Sequence, residues 1–212
     1  MSDPATSRAR LGAAALRIFE AGLAAVDPYE AVTRCLDVQG DSIVLASPGG
    51  GERRIDATGF GRIVVVGAGK ASARMAQAVE AIVGDRISGG VIAVKTGYTA
   101  PLGRVSIREA SHPVPDLAGE SAAREMLTLL EGADEDTLVI ALISGGGSAL
   151  MPVPAEGITL ADKQRTTDLL LAAGADINEI NALRKHISGI KGGRLAERAH
   201  PASVVTLILS DV

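Results

Sequence analysis

At 212 residues, with 47% hydrophobic and 22% charged side chains, the chain has the composition of a globular protein of one large or two small domains, not of a disordered one. Its net charge of −4 argues against nucleic acid or an anionic membrane as the main partner. The single cysteine, Cys35, excludes an intrachain disulfide and fits a cytoplasmic setting. With two Phe, two Tyr and no Trp, the core has to be built from Ala, Val, Ile and Leu, as buried parallel sheets are. The apolar run from Leu11 to Leu16 is broken by Arg17 and Glu20, too soon for a signal peptide. No run approaches the ~18 apolar residues that span a membrane.

In chain order, residues 5–26 read as an amphipathic helix, and Asp27-Pro28 as the cap and first turn of a second one. The helices within 5–36 are candidates for a separate subdomain. Two short strands, 42–46 and 53–57, flank the turn Pro48-Gly49-Gly50-Gly51. Then the pattern changes. Ile63-Val64-Val65-Val66 is a continuous β-branched strand, and a glycine turn leads from it into a helix over 71–83 with Met75, Val79, Ile82 and Val83 inward. Strands over 90–95 and 104–109, a helix over 119–130 and an apolar strand over 137–143 follow. Thr159 with Asp162, and Asp176 with Glu179, have the spacing of capping boxes. They start helices that run to about 173 and 188. A short helix over 193–199 and a strand over 203–209 complete the order. Strands alternating with helices predict an α/β fold: a Rossmann-like, mostly parallel sheet with helices on both faces.

Ligands of such sheets bind beyond the carboxyl ends of the strands, so the strand-end loops are the places to search. Gly67-Ala68-Gly69-Lys70 joins a strand to a helix N-terminus, where free N–H groups and the helix dipole suit an anion and Lys70 adds a charge. The known phosphate motifs fail here at named residues. A P-loop needs Gly where Val64 stands and Ser or Thr where Ala71 stands, and the dinucleotide fingerprint breaks at Ser72. The next strand ends in Lys95, not in an acid for a ribose. Ser144-Gly145-Gly146-Gly147-Ser148 is the second such loop, either a backbone cradle for phosphate or a plain tight turn. As a nucleophile elbow it fails at Leu150. On the helix over 176–188, Ile180, Leu183 and Ile187 form the core face. Asn181, Lys185 and Ser188 share the adjacent stripe, with Arg184 at its edge; Lys191, Gly192, Gly193 and Arg194 follow. This cationic group is either an oxyanion holder or a solvated helix face. His112, between Ser111 and Pro113, reads as structural. Asp211, at the end of the last strand, is a carboxylate placed to orient a hydroxyl or hold Mg²⁺.

Six segments taken together resemble the N-terminal domain of the glycerate 2-kinase family, whose members have often been labelled hydroxypyruvate reductase. They are 66–72, 109–116, 143–150, 181–186, 190–196 and 209–212, and the resemblance covers the chain from about residue 5 onward. It implies ATP-dependent, Mg²⁺-assisted phosphorylation of D-glycerate to 2-phosphoglycerate, in a cleft between this domain and a C-terminal one. The family's lysine maps onto Lys70 and its aspartate onto Asp211, the implied catalytic pair. Gly67, Gly69, Ser144 to Ser148, Asn181, Arg184, Lys185, Lys191 and Gly192 are then the implied substrate- and phosphate-binding residues. Family members are longer. The resemblance therefore implies that the C-terminal domain is absent here and that this polypeptide alone has little or no kinase activity. The partners so implied are D-glycerate, a nucleotide and the missing domain, without nucleic acid or membrane; homo-oligomerisation is compatible with the sequence. An NAD(P)H-dependent hydroxypyruvate reductase and an inactive ligand-binding fragment are the alternatives.

Overall fold

The computed structural model describes residues 4–47 and 49–210. Helix α1 (Pro4–Ala25) leaves Leu11, Ile18 and Phe19 exposed to solvent. Asp27 then caps α2 (Pro28–Cys35), accepting hydrogen bonds from the N–H groups of Tyr29 and Glu30. Val32 of this helix is buried in one cluster with Met75 and Val79, so α2 belongs to the main core and is not part of a separate subdomain. Strands β1 (Leu36–Gln39), β2 (Ser42–Ala46) and β3 (Glu52–Asp56) form a small antiparallel sheet, where two strands were expected. Its apolar side chains Leu36 and Ile43 pack into the same cluster.

The main sheet follows the predicted alternation. Strand β4 (Arg62–Ala68) leads to α3 (Ser72–Val83), β5 (Ile87–Lys95), β6 (Val105–Ala110), α4 (Leu117–Glu131) and β7 (Thr137–Ser144). A four-residue helix α5 (Gly147–Leu150), then α6 (Leu160–Ala172), α7 (Ile177–His186), α8 (Arg194–Ala199) and β8 (Ser203–Leu209) complete it. The five strands β4 to β8 pair in parallel in the order β6-β5-β4-β7-β8. Both capping boxes are formed, at Thr159 with Asp162 and at Asp176 with Glu179.

The period-2 alternation of a strand divides β4 between two cores. Ile63 and Val65 face Met75, Ala76 and Val79 of α3. Val64 and Val66 face Ala122, Met126 and Leu130 of α4. With helices covering both faces, Val65, Val66, Val139 and Leu142 have no measurable exposure. The core is aliphatic with a few methionines, as the aromatic-poor composition requires. No described helix is long and apolar enough to cross a membrane.

Candidate functional site

The strand order fixes where a site can lie. From β4 the chain moves outward through β5 to β6, then returns through α4 to the opposite side of β4 as β7. The loops after β4 and β7 therefore leave adjacent central strands at the point where the order reverses, and a crevice opens there.

The two glycine loops interlock across this point. The N–H of Lys70 donates to the Gly145 carbonyl at 2.9 Å, and that of Gly69 to Ala93 at 3.1 Å. The N–H of Ala71 donates to Ser144 Oγ at 3.0 Å. Ser72, fully buried, donates from its hydroxyl to the Leu142 carbonyl at 3.1 Å. A side chain at Gly67 would sit 2.9 Å from the carbonyl carbon of Leu142 and closer still to its oxygen, and one at Gly147 would be 2.7 Å from the Ala68 oxygen. Gly69, with φ of 147°, would likewise collide with Ser144. Thus Gly67, Gly69 and Gly147 have a packing reason of their own, and the N–H groups of residues 69–71 are spent within the protein instead of being aimed at a ligand. What the first loop presents outward is the half-buried Lys70, whose side-chain stem lies beside Gly146.

A cleft of about 540 Å³ opens beside the second loop. Ser144, Gly146, Gly147 and Ser148 form one wall; Asn181, Arg184, Lys185 and Lys191 form the other. The fold therefore brings together two groups of predicted residues that lie more than thirty positions apart in the chain. Among the described residues, the ionisable side chains lining the cleft are all Lys or Arg. Gly192 lies outside it, lining a neighbouring hollow of about 270 Å³ with Lys185 and Arg194. Two details of the helix reading need correction. Leu183 is 38% exposed and is not a core residue. Ser188, expected on the polar stripe, is fully buried; its Oγ donates to the Val153 carbonyl at 3.3 Å and accepts from the N–H groups of Ile190 and Lys191. The cause is that α7 stops at His186, so helical spacing no longer applies at 188. Asp211 lies outside the described residues.

A family described as a domain of unknown function, DUF4147, matches residues 14–212. The chain belongs to this family. Among its relatives is a glycerate 2-kinase of Pyrococcus horikoshii, 44% identical over 197 residues, which are 93% of this chain and 42% of that protein. An Agrobacterium vitis protein named for hydroxypyruvate reductase is 55% identical over 153 residues, 72% of this chain and 40% of its own length. A crystal structure of a Pyrococcus horikoshii OT3 protein superposes with a TM-score of 0.79 at 42% identity, covering 92% of this chain and 42% of that one. The chain thus spans about 40% of the length of these relatives. The resemblance to the glycerate 2-kinase family, read from six motifs, holds.

Two further residues of this DUF4147 chain join the site. His112 packs against the second loop: its Nε2 lies 3.0 Å from where a side chain at Gly146 would begin, and Gly146 has φ of 88°. Burial first, then the charges of Lys70 and Lys95, push the His112 pKa below the ordinary histidine value. Lys163, on the inner face of α6, is buried with Nζ 3.1 Å from the Val153 carbonyl. Burial chiefly, and then Arg184, pull its pKa down to about 8 against an opposing pull from Glu120. Lys191 donates to the Met151 carbonyl at 2.7 Å; burial, then Lys163 and Arg184, bring it to about 7. The sequence signal for Lys163 was its place between Leu160 and Thr167, at i, i+3 and i+7 on the inward stripe of α6. Among the described residues no group of three or more His, Cys, Asp or Glu is placed to hold a metal.

Proposed function

We propose that this chain is the N-terminal Rossmann-like domain of a glycerate 2-kinase, which phosphorylates D-glycerate to 2-phosphoglycerate with ATP and Mg²⁺. The observation that carries this reading is the cleft at the switch point, whose charged lining among the described residues is Arg184, Lys185 and Lys191. A site of this charge suits phosphate and carboxylate oxygens. ATP would supply the transferable phosphoryl group, and Mg²⁺ would neutralise charge on its phosphates. Arg184, Lys185 and Lys191 would hold anionic oxygens against the wall formed by Gly146 and Gly147, with the Ser144 and Ser148 hydroxyls and Asn181 adding polar contacts and the Gly145 carbonyl anchoring Lys70. Gly192, at φ of 68°, takes the left-handed turn that follows Lys191.

Lys70 would stabilise negative charge on the transferred group, because its stem lies beside Gly146 at the cleft's edge. Asp211, following β8, would orient or deprotonate the 2-hydroxyl. Phosphoryl transfer is mostly positioning and charge neutralisation, so a cleft of cations on rigid strand ends is the machinery it needs.

The reductase name of the Agrobacterium vitis relative gives the competing reading. Against it, Ser72 stands at a dinucleotide-fingerprint position and is consumed in the contact with Leu142, and Lys95 ends β5 within 5.1 Å of the Tyr98 ring. Fluorescence titration with NADH separates the two readings: saturable binding supports the reductase. In a coupled assay with ATP, Mg²⁺ and D-glycerate, the 212-residue chain alone turns over slowly or not at all. Turnover at the rate of a complete relative would sink that expectation.

A further inference from the structure

Lys163, Lys191 and Arg184 border one small, partly open space from three different segments. Each lines a cavity of about 20 Å³ that Ser148, Pro152 and Thr167 also border. Ser148, Arg184 and Lys191 line the 540 Å³ cleft as well, so they form the wall the two spaces share. The segment between Met151 and Pro154 holds the arrangement. Its Met151 carbonyl accepts from Lys191 and its Val153 carbonyl from Lys163, while Pro154 bridges to Ser188. Gly189 closes in at the same place, its N–H donating to Val153 at 3.0 Å.

The charge of this group is unbalanced. Among the described residues no carboxylate lines the small cavity, and none of the three basic side chains is in an ion pair. The acid that acts on Lys163, Glu120 of α4, is already paired with Arg124 at 2.6 Å. Clustered cations shielded from water are unfavourable unless an anion joins them. The depressed pKa values of both lysines express that cost. An ammonium has three donors, and each lysine has one protein acceptor, a backbone carbonyl.

The geometry points to an oxyanion subsite in which Lys163, Lys191 and Arg184 hold one terminal oxygen of a carboxylate or phosphate whose body lies in the larger cleft. A space of about 20 Å³ takes one oxygen-sized group and not a whole phosphate. This inference rests on the kinase reading for the identity of the ligand, glycerate or a nucleotide phosphate, but not for the presence of the subsite. Lys163 is the addition: it lies on α6, outside every motif that carries the family resemblance, and it lines the small cavity beside the cleft, not the cleft itself.

The test is isothermal titration of the 212-residue chain with inorganic phosphate and, separately, with D-glycerate, at ionic strength held constant with NaCl. At least one anion binds the wild type, and Lys163→Met weakens that anion about tenfold or more, as loss of a charge-assisted contact does. Phosphate alone binding assigns the subsite to the nucleotide; glycerate alone assigns it to the substrate carboxylate. Equal affinity in wild type and Lys163→Met, or no binding of either anion, overturns the proposal. If Lys163→Met does not fold, the wild type still decides: a bound anion raises the Lys191 pKa read from its ¹³Cε shift, and an unchanged titration overturns the subsite. The two readings fail separately. Anion binding through Lys163 in an enzyme that transfers no phosphoryl group keeps the subsite and removes the kinase.

Discussion

Gly67→Ala separates two reasons for a glycine at the end of β4. If the residue is small so that a ligand can approach, the alanine variant folds normally and loses the ligand. The structure gives the other reason: the new methyl group meets the Leu142 carbonyl, with its carbon 2.9 Å away and its oxygen nearer. The obstacle is backbone in the adjacent central strand, and β4 pairs with β7 along seven residues, so it cannot swing aside as a side chain can. Overpacking of this kind costs about 1–3 kcal/mol and sometimes more. The reduced entropy of the unfolded alanine chain offsets about 0.4–1 kcal/mol. A net loss of about 1.3 kcal/mol corresponds, for a domain of this size, to a fall in Tm of about 3–5 °C. Thermal unfolding followed by circular dichroism, without any ligand, measures it. An unchanged Tm together with lost phosphate binding would refute the packing argument and return Gly67 to the ligand.

The remaining predictions concern charge. Lys191 and Lys163 have folded-state pKa values of about 7 and about 8 against 10.5 for a free lysine. Between those values and 10.5 the unfolded chain binds more protons, so stability rises with pH from about 7 upward, by at most ~1.4 kcal/mol per pH unit per lysine. Denaturation midpoints at pH 7, 8 and 9 check this, and Lys191→Met flattens the rise; a fall across the window in the wild type contradicts it. His112 works on the acid side. Its pKa is lowered from 6.5, so stability is lost as pH drops below about 6.5 and the unfolded state takes up a proton the native state refuses. His112→Gln removes that part of the acid limb, and an unaltered limb means His112 does not titrate as described. At Gly146, where φ is 88° and His112 is 2.9 Å from any added methyl group, Gly146→Ala costs about 1–2 kcal/mol for the left-handed backbone alone. Thermal unfolding within 0.3 kcal/mol of the wild type would contradict the strain.

Much of the fold was legible because burial on both faces leaves a plain record. The runs 63–66 and 137–143 are apolar without alternation, and the capping pairs Thr159/Asp162 and Asp176/Glu179 mark helix starts by local hydrogen bonding. Strand β1 was not legible: it is four residues long and begins directly after α2, so its alternation of Leu36 and Val38 with Asp37 and Gln39 passes for the end of a helix. Within the site, loops and basic segment were visible as compositions, but their meeting depends on the path from β7 through α6 and α7. Lys163 was marked only by its spacing from Leu160 and Thr167 on α6, a faint signal. A lysine on a helix is normally solvated, and only the packing of the Met151–Pro154 segment against α6 buries this one. His112 likewise gains its charged neighbours, Lys70 and Lys95, from the ends of two other strands. Ser188 misled because helical geometry was extended two residues past the helix it describes.

The central claim is that the cationic cleft at the switch point serves phosphoryl transfer to glycerate. The direct measurement is ³¹P NMR of ATP, Mg²⁺ and D-glycerate with a chimaera of this chain and the portion of the Pyrococcus horikoshii kinase that it does not span. The account predicts ADP and 2-phosphoglycerate in equal amounts, and a fall in kcat of ~10²-fold or more in Lys70→Ala, as for loss of a charge stabiliser. Near-normal turnover in Lys70→Ala, or NADH-dependent reduction of hydroxypyruvate with no phosphoryl transfer, would contradict it.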